Sequence, residues 1–147
     1  MIRVGLVGFG FMGKMHFNCY KARPDVTIAA ICDADEKRLK EGSGTVGNIA
    51  GTESALDLSE IQLFSDFGRM LKEVELDVVS ITLPTFLHAD FTCQALAAGV
   101  HVLCEKPMGL TVQDCDRMME AANKSGKVLQ IGHCIRFWPE YVKTKEL

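Results

Sequence analysis

No two of the six cysteines (Cys19, Cys32, Cys93, Cys104, Cys115, Cys134) stand as C-x-x-C, and no histidine cluster accompanies them. That absence argues against a zinc site and against a secreted disulfide framework. It leaves buried, reduced thiols in a cytoplasmic protein as the expectation, with no metal ligands assigned. Positive charge is not in excess either. Sixteen basic against nineteen acidic side chains give a net charge of −3, so no basic field draws the chain to nucleic acid or to an acidic membrane surface. No apolar stretch reaches the length of a membrane span. The first apolar run is broken by Gly5, Gly8 and Gly10 and is followed by no small-residue cleavage site, so it does not read as a signal peptide.

What is present fits one globular domain: 147 residues, 48% hydrophobic and 24% charged. A chain of this size buries roughly 70% of its unfolded surface without a covalent staple. Its apolar segments are short and rich in β-branched residues, which predicts buried strands at Ile2–Val7, "VTIAAICD" ending at Asp33, "IQLF", "DVVSITL" stopped by Pro84, "HVLCE" and "VLQIG". Helical spacing appears between them. Met12, Met15, Cys19 and Tyr20 suit a helix ending before Pro24, and a charged segment from Asp35 to Glu41 suits a short one. Further helices are expected from Ser65 to Val74 and from the Pro84 turn to Ala98, the latter with Leu87, Phe91 and Ala95 on one face and Gly99 as its cap. The last runs from Thr111, paired with Asp114 as a capping box, to Gly126, with Val112, Cys115, Met118, Met119 and Ala122 as its apolar face. "EGSGTVGN" reads as a loop, and Ile49 to Glu60 carries little signal. Apolar strands alternating with helices predict an α/β doubly wound parallel sheet, a Rossmann fold of six strands in the order 3-2-1-4-5-6.

Gly8, Phe9, Gly10, Phe11, Met12 and Gly13 form a G-x-G-x-x-G between a predicted strand and a predicted helix. The third glycine lies 20 residues before Asp33, the acid ending the next strand. In this setting Gly8 allows the tight turn, Gly10 leaves room for a pyrophosphate, and Gly13 lets the helix pack closely. The helix N-terminus then faces the phosphates. Asp33 would accept from the adenosine ribose hydroxyls and repel a 2′-phosphate, favouring NAD, or would only cap the next helix. Lys37 and Arg38 just beyond keep NADP open. In this order strand 4 neighbours strand 1 and strand 5 neighbours strand 4, so Leu83, Pro84 and Thr85 of "TLPT" and Glu105 and Lys106 of "CEKP" open beside the glycine turn. Lys106 is a solvated surface charge or, at that place, a functional group.

With "GFGFMGKMH", "CDAD", "TLPTFLH", "EKP" and "GHCIRF" in that order, the chain resembles the N-terminal domain of the glucose–fructose oxidoreductase / inositol dehydrogenase / rhizopine catabolism protein family. The resemblance implies an NAD(P)-dependent oxidoreductase of sugars, polyols or related alcohols, homo-oligomeric as a whole. It implies that Lys106 touches substrate and nicotinamide ribose as the catalytic lysine, that Glu105 lies by that ribose, and that the Lys106–Pro107 bond is cis. It puts His88 along the cofactor, although His88 equally suits a first helical turn with no ligand. The family continues into a second domain that completes the substrate pocket. Residues 1–132 would then be the dinucleotide-binding domain, and residues 133–147, through "RFWPEYVKTKEL", the start of the connection. The alternative is a non-catalytic dinucleotide-binding regulator of the same fold.

Overall fold

The computed structural model describes residues 1–41 and 56–147. Six strands form one sheet: β1 (Ile2–Val7), β2 (Val26–Cys32), β3 (Gln62–Phe64), β4 (Val78–Ile81), β5 (His101–Cys104) and β6 (Leu129–Ile131). Every pairing is parallel, in the order β3-β2-β1-β4-β5-β6. The helices between them are α1 (Phe11–Lys21), α2 (Glu36–Glu41), α3 (Phe67–Glu73), α4 (His88–Ala97) and α5 (Val112–Ser125), with α6 (Pro139–Glu146) after the sheet. The expected architecture and strand order are those observed. Most of the predicted loop at 41–48 and the first half of the weak segment at 49–60 lie outside the described residues.

Apolar residues on both faces of each strand require cover on both sides, and two cores supply it. On one face Val4, Leu6, Ile28 and Ile31 pack with Phe17 of α1 and Leu39 of α2. On the other, Val7, Val79, Ile81 and Cys104 pack with Phe67 and Met70 of α3, Ala95 and Leu96 of α4 and Met118 of α5.

Caps follow the residue types. The Asp66 carboxylate accepts from Arg69 N at 2.6 Å to start α3, and the Thr111 hydroxyl accepts from Asp114 N at 3.1 Å to start α5. Gly99 (φ 80°) and Gly126 (φ 67°) follow α4 and α5 in the left-handed conformation that glycine adopts freely.

Three faces differ from expectation. In α1 the buried residues are Gly13 and Phe17, while Met12, Met15 and Cys19 are exposed. The close seat of Gly13 against the β1 turn sets which side of α1 faces inward. In α4 the buried face is His88, Ala89, Thr92, Ala95 and Leu96. Leu87 belongs instead to a 3-10 turn, Thr85–Leu87, that follows Pro84. In α5, which packs chiefly against α4, only Met118 is fully buried, and Val112 and Met119 stay exposed.

The expectation of buried thiols holds for Cys32 and Cys104, but Cys93 and Cys115 are half-buried and Cys19 and Cys134 are exposed. Burial, reinforced by neighbouring carboxylates, pushes the Cys32 and Cys104 thiols up to about 12. At pH 8 their thiolate fraction is therefore on the order of 10⁻⁴. Alkylation of the folded protein at that pH should modify Cys19 and Cys134 and reach Cys32 and Cys104 only after unfolding, as peptide mass spectrometry would read out.

Candidate cofactor-binding site

Strand register brings the predicted residues into one row. The last residues of β1, β2, β4, β5 and β6 pair across the sheet: Val7 with Cys32 and Ile81, Ile81 with Cys104, Cys104 with Ile131. The next residue of each strand is thus Gly8, Asp33, Thr82, Glu105 or Gly132. Each donates its backbone N–H to the strand beside it: Gly8 to Cys32 O at 2.8 Å, Asp33 to Phe64 O at 3.0 Å, Thr82 to Val7 O at 2.8 Å, Glu105 to Ile81 O at 2.9 Å and Gly132 to Cys104 O at 2.8 Å. This carboxyl edge, at the point where the chain switches from β1 to β4, is where doubly wound sheets take ligands.

The glycines divide the labour in the turn. Gly8 has φ 90°, and a Cβ there would press on Leu83 and the Thr82 carbonyl at 3.0 Å. A Cβ on Gly13 would collide with the Gly8 carbonyl oxygen, so α1 packs this closely only with glycine at that position. A Cβ on Gly10 would meet nothing within 4 Å. The space over Gly10 is open, at the N-terminus of an 11-residue helix with no side-chain cap and no acid in its first turn. That cradle fits a dinucleotide pyrophosphate, which would take the place of the missing cap. Phe11 is half-buried and Met12 exposed beside it. The Phe9 ring is fully buried, edge-to-face on Phe17 at 5.9 Å, so only its backbone is near the turn.

Asp33 is buried and builds the turn as well as flanking it. One carboxylate oxygen accepts from Phe9 N at 2.6 Å, with Arg38 Nη1 at 3.4 Å, and the other accepts from Asp35 N at 2.8 Å. The carboxylate that caps α2 is that of Asp35, which accepts from Lys37 N at 3.0 Å. Three of the four carboxylate lone-pair sites are used by these bonds, and the oxygen that accepts from Asp35 N keeps one for a ribose hydroxyl.

At the β4 and β5 ends the loops lean on each other. His88, fully buried at the start of α4, has one ring nitrogen 2.9 Å from Pro107 O and the other 2.8 Å from Leu83 O. His88 opens α4, and both ring nitrogens lie within hydrogen-bond distance of backbone carbonyls, of which a neutral ring donates to one. The ring ties the loop of Leu83, Pro84 and Thr85 to the Lys106–Pro107 segment, whose peptide bond is cis. Lys106 is exposed and lines a cavity of about 390 Å³ with Gly132, His133, Cys134, Ile135, Arg136 and Tyr141.

Three residues in the site went unseen in the sequence. Thr82 donates its hydroxyl to Gly8 O at 2.6 Å, fastening the glycine turn to β4. His16 and Ser80 stand 2.7 Å apart, and His16 reaches Glu105 at 3.0 Å. The signal for His16 was its spacing: once Gly13 must face inward, positions 16, 17 and 20 lie on the same side of α1. The contrast among the glycines is testable. Gly10→Ala should leave the melting temperature within about 2 °C, whereas Gly13→Ala should lower it by about 5 °C or more, a cost of a kcal/mol and upward. Thermal unfolding followed by circular dichroism measures both.

The chain is similar to known proteins. The profile of a family described as "Oxidoreductase family, NAD-binding Rossmann fold" matches residues 2–133. Inositol 2-dehydrogenase of Salmonella typhimurium is 32% identical over 151 residues, covering 99% of this chain and 41% of that protein. The structure of scyllo-inositol dehydrogenase from Lactobacillus casei, with bound NAD(H) and scyllo-inositol, superposes with a TM-score of 0.82 at 26% identity and covers all of this chain and 40% of that one. The WlbA dehydrogenase of Bordetella pertussis, in complex with NADH and UDP-GlcNAcA, gives a TM-score of 0.83 at 27% identity over 99% of this chain and 41% of its own. The chain thus spans about 40% of the length of these relatives. With its glycine turn, acidic second strand and Glu-Lys-Pro segment in the places described, the chain belongs to the glucose–fructose oxidoreductase / inositol dehydrogenase / MocA family of oxidoreductases and carries its NAD-binding Rossmann fold.

Proposed function

We propose that this chain is the cofactor-binding part of a cytoplasmic dehydrogenase that oxidises a hydroxyl of a sugar, polyol or related alcohol, with NAD preferred over NADP. The observation that supports it most is the open cradle over Gly10 on the same sheet edge as Lys106. Gly8, Gly10 and Gly13 let the backbone approach a pyrophosphate, Asp33 accepts from the adenosine ribose, and the loop of Leu83, Pro84 and Thr85 borders the path toward Glu105. NAD, when bound, supplies the hydride acceptor. The chain's own part is to bind and orient it, and to set the Lys106 ammonium where negative charge grows on the substrate oxygen as its proton leaves. Residues 1–132 form this domain. Residues 133–147, which include α6 and a 3-10 turn at Cys134–Phe137, lead toward the remainder of a longer homo-oligomeric enzyme that completes the substrate pocket.

Cofactor choice follows from charge. Asp33 is fixed by two backbone N–H groups and presents a carboxylate that a 2′-phosphate would have to approach. Titration of the chain should give NAD a lower Kd than NADP by about tenfold or more. Asp33→Asn keeps an acceptor for Phe9 N–H while removing the charge, and should narrow that ratio to within about threefold. Equal or tighter binding of NADP by the unaltered chain would contradict the assignment.

Lys106 separates an enzyme from a regulator. A contact that strengthens in the transition state typically contributes 10²–10³ in turnover. In the longer protein, Lys106→Met should lower kcat by about that factor while the Kd for NAD stays within about threefold. An unchanged kcat would remove Lys106 from catalysis, and an unaltered longer protein that binds NAD but oxidises no polyol or sugar would favour the regulator.

A further inference from the structure

α1 carries His16 one turn beyond Gly13, so its ring reaches across the sheet edge to two other elements. Nδ1 lies 2.7 Å from the hydroxyl of Ser80 in β4, and Nε2 lies 3.0 Å from Glu105 Oε1 just after β5. Both ends of the Nε2 contact are largely buried, with the side chains of His16 and Glu105 at 16% and 13% exposure. A carboxylate only accepts, so Nε2 carries the proton it gives to Glu105, and Nδ1 takes the proton of the Ser80 hydroxyl. The Tyr20 ring packs edge-on against the His16 ring at 6.3 Å, and burial pushes its phenol above the ordinary value of 10.0. The resulting chain is consistently directed: Ser80 to His16, His16 to Glu105.

Glu105 receives a second bond at its other oxygen. Lys106 N donates to Glu105 Oε2 at 3.1 Å, so each carboxylate oxygen has its own partner. Gly132 makes the space, since a Cβ there would stand 3.3 Å from Oε1. The helix that begins at the glycine cradle thus grips the backbone immediately ahead of Pro107. We propose that His16 is a positioning residue for the nicotinamide half of the site, holding Glu105 and through it the Lys106–Pro107 segment in register with the cofactor cradle. This rests on the cofactor reading above and adds a division within it. The adenosine and pyrophosphate half depends on Gly8, Gly10, Gly13 and Asp33, and the second half depends on His16.

Two ligands separate these halves: NADH, which spans both, and ADP, which stops at the pyrophosphate. Two amides separate the bonds of His16. In His16→Asn the short amide keeps reach to Ser80 and loses Glu105, while in His16→Gln the longer amide presents an N–H to Glu105. A hydrogen bond to a charged group is worth enough to shift binding about tenfold. With the 147-residue chain, His16→Asn should weaken NADH by about tenfold and ADP by less than twofold, and His16→Gln should bind NADH within about threefold of the unaltered chain. Calorimetric titration measures all six constants, and thermal unfolding verifies that both variants are folded. Equal weakening of NADH and ADP would reduce His16 to general support of the fold and overturn the proposal. So would unchanged NADH binding by His16→Asn, or a His16→Gln as weak as His16→Asn. If the unaltered chain bound neither ligand, the cofactor reading would fall, and this inference with it.

Discussion

Helix α1 rests on the carbonyl of Gly8, at a separation that no side chain at position 13 would permit. Much of the site depends on that seat. It aims the uncapped N-terminus of α1 at the space over Gly10 and decides which residues of the helix face the protein. Phe17 then enters the core against Phe9, and His16 comes within reach of β4 and β5. Met12, Met15 and Cys19, apolar as they are, are left outside. The three glycines thus earn their place despite a backbone cost of roughly 0.5–1 kcal/mol each inside regular structure. One bears the turn, one leaves room, and one permits contact.

The turn is held from three sides. Asp33 accepts the Phe9 N–H from below the β2 end, Thr82 donates to the Gly8 carbonyl from β4, and α1 closes over it. Such a loop is preorganised: its backbone conformation is fixed before any ligand arrives, so binding incurs less ordering cost. The β5 end is braced in the same manner, by His88 from the Leu83 loop and by His16 through Glu105. Lys106 itself stays exposed beside its cavity while its backbone is constrained.

The fold was legible in the sequence because its signals were local and repeated. Short β-branched runs, Pro84, Thr111, Gly99 and Gly126 each mark an element end by a mechanism that needs no tertiary information. The glycine spacing and Asp33 were legible for the same reason. Helix faces were less so. Met119 and Val112 look like core at helical spacing, yet they stay exposed on a helix that buries only Met118 fully. Leu87 was expected on the α4 face, but Pro84 delays the helix and a 3-10 turn absorbs the residue. The contacts of His16, Ser80 and His88 were less legible, because each is defined by partners between 5 and 89 residues away. Only the strand order, once turned into geometry, brings them together.

The central claim is that one edge of the sheet, from Asp33 through the glycine turn to Lys106, receives a dinucleotide. Mapping backbone amide shifts of the isotopically labelled chain during addition of NAD tests it most directly. The account predicts the largest changes at Gly8 to Gly13, at Asp33 and Ala34, at Thr82 and Leu83, and at Glu105 and Lys106, with β3 and the far face of α5 unmoved. Saturating NAD that shifts no amides along this edge, or shifts those of another surface instead, would contradict it.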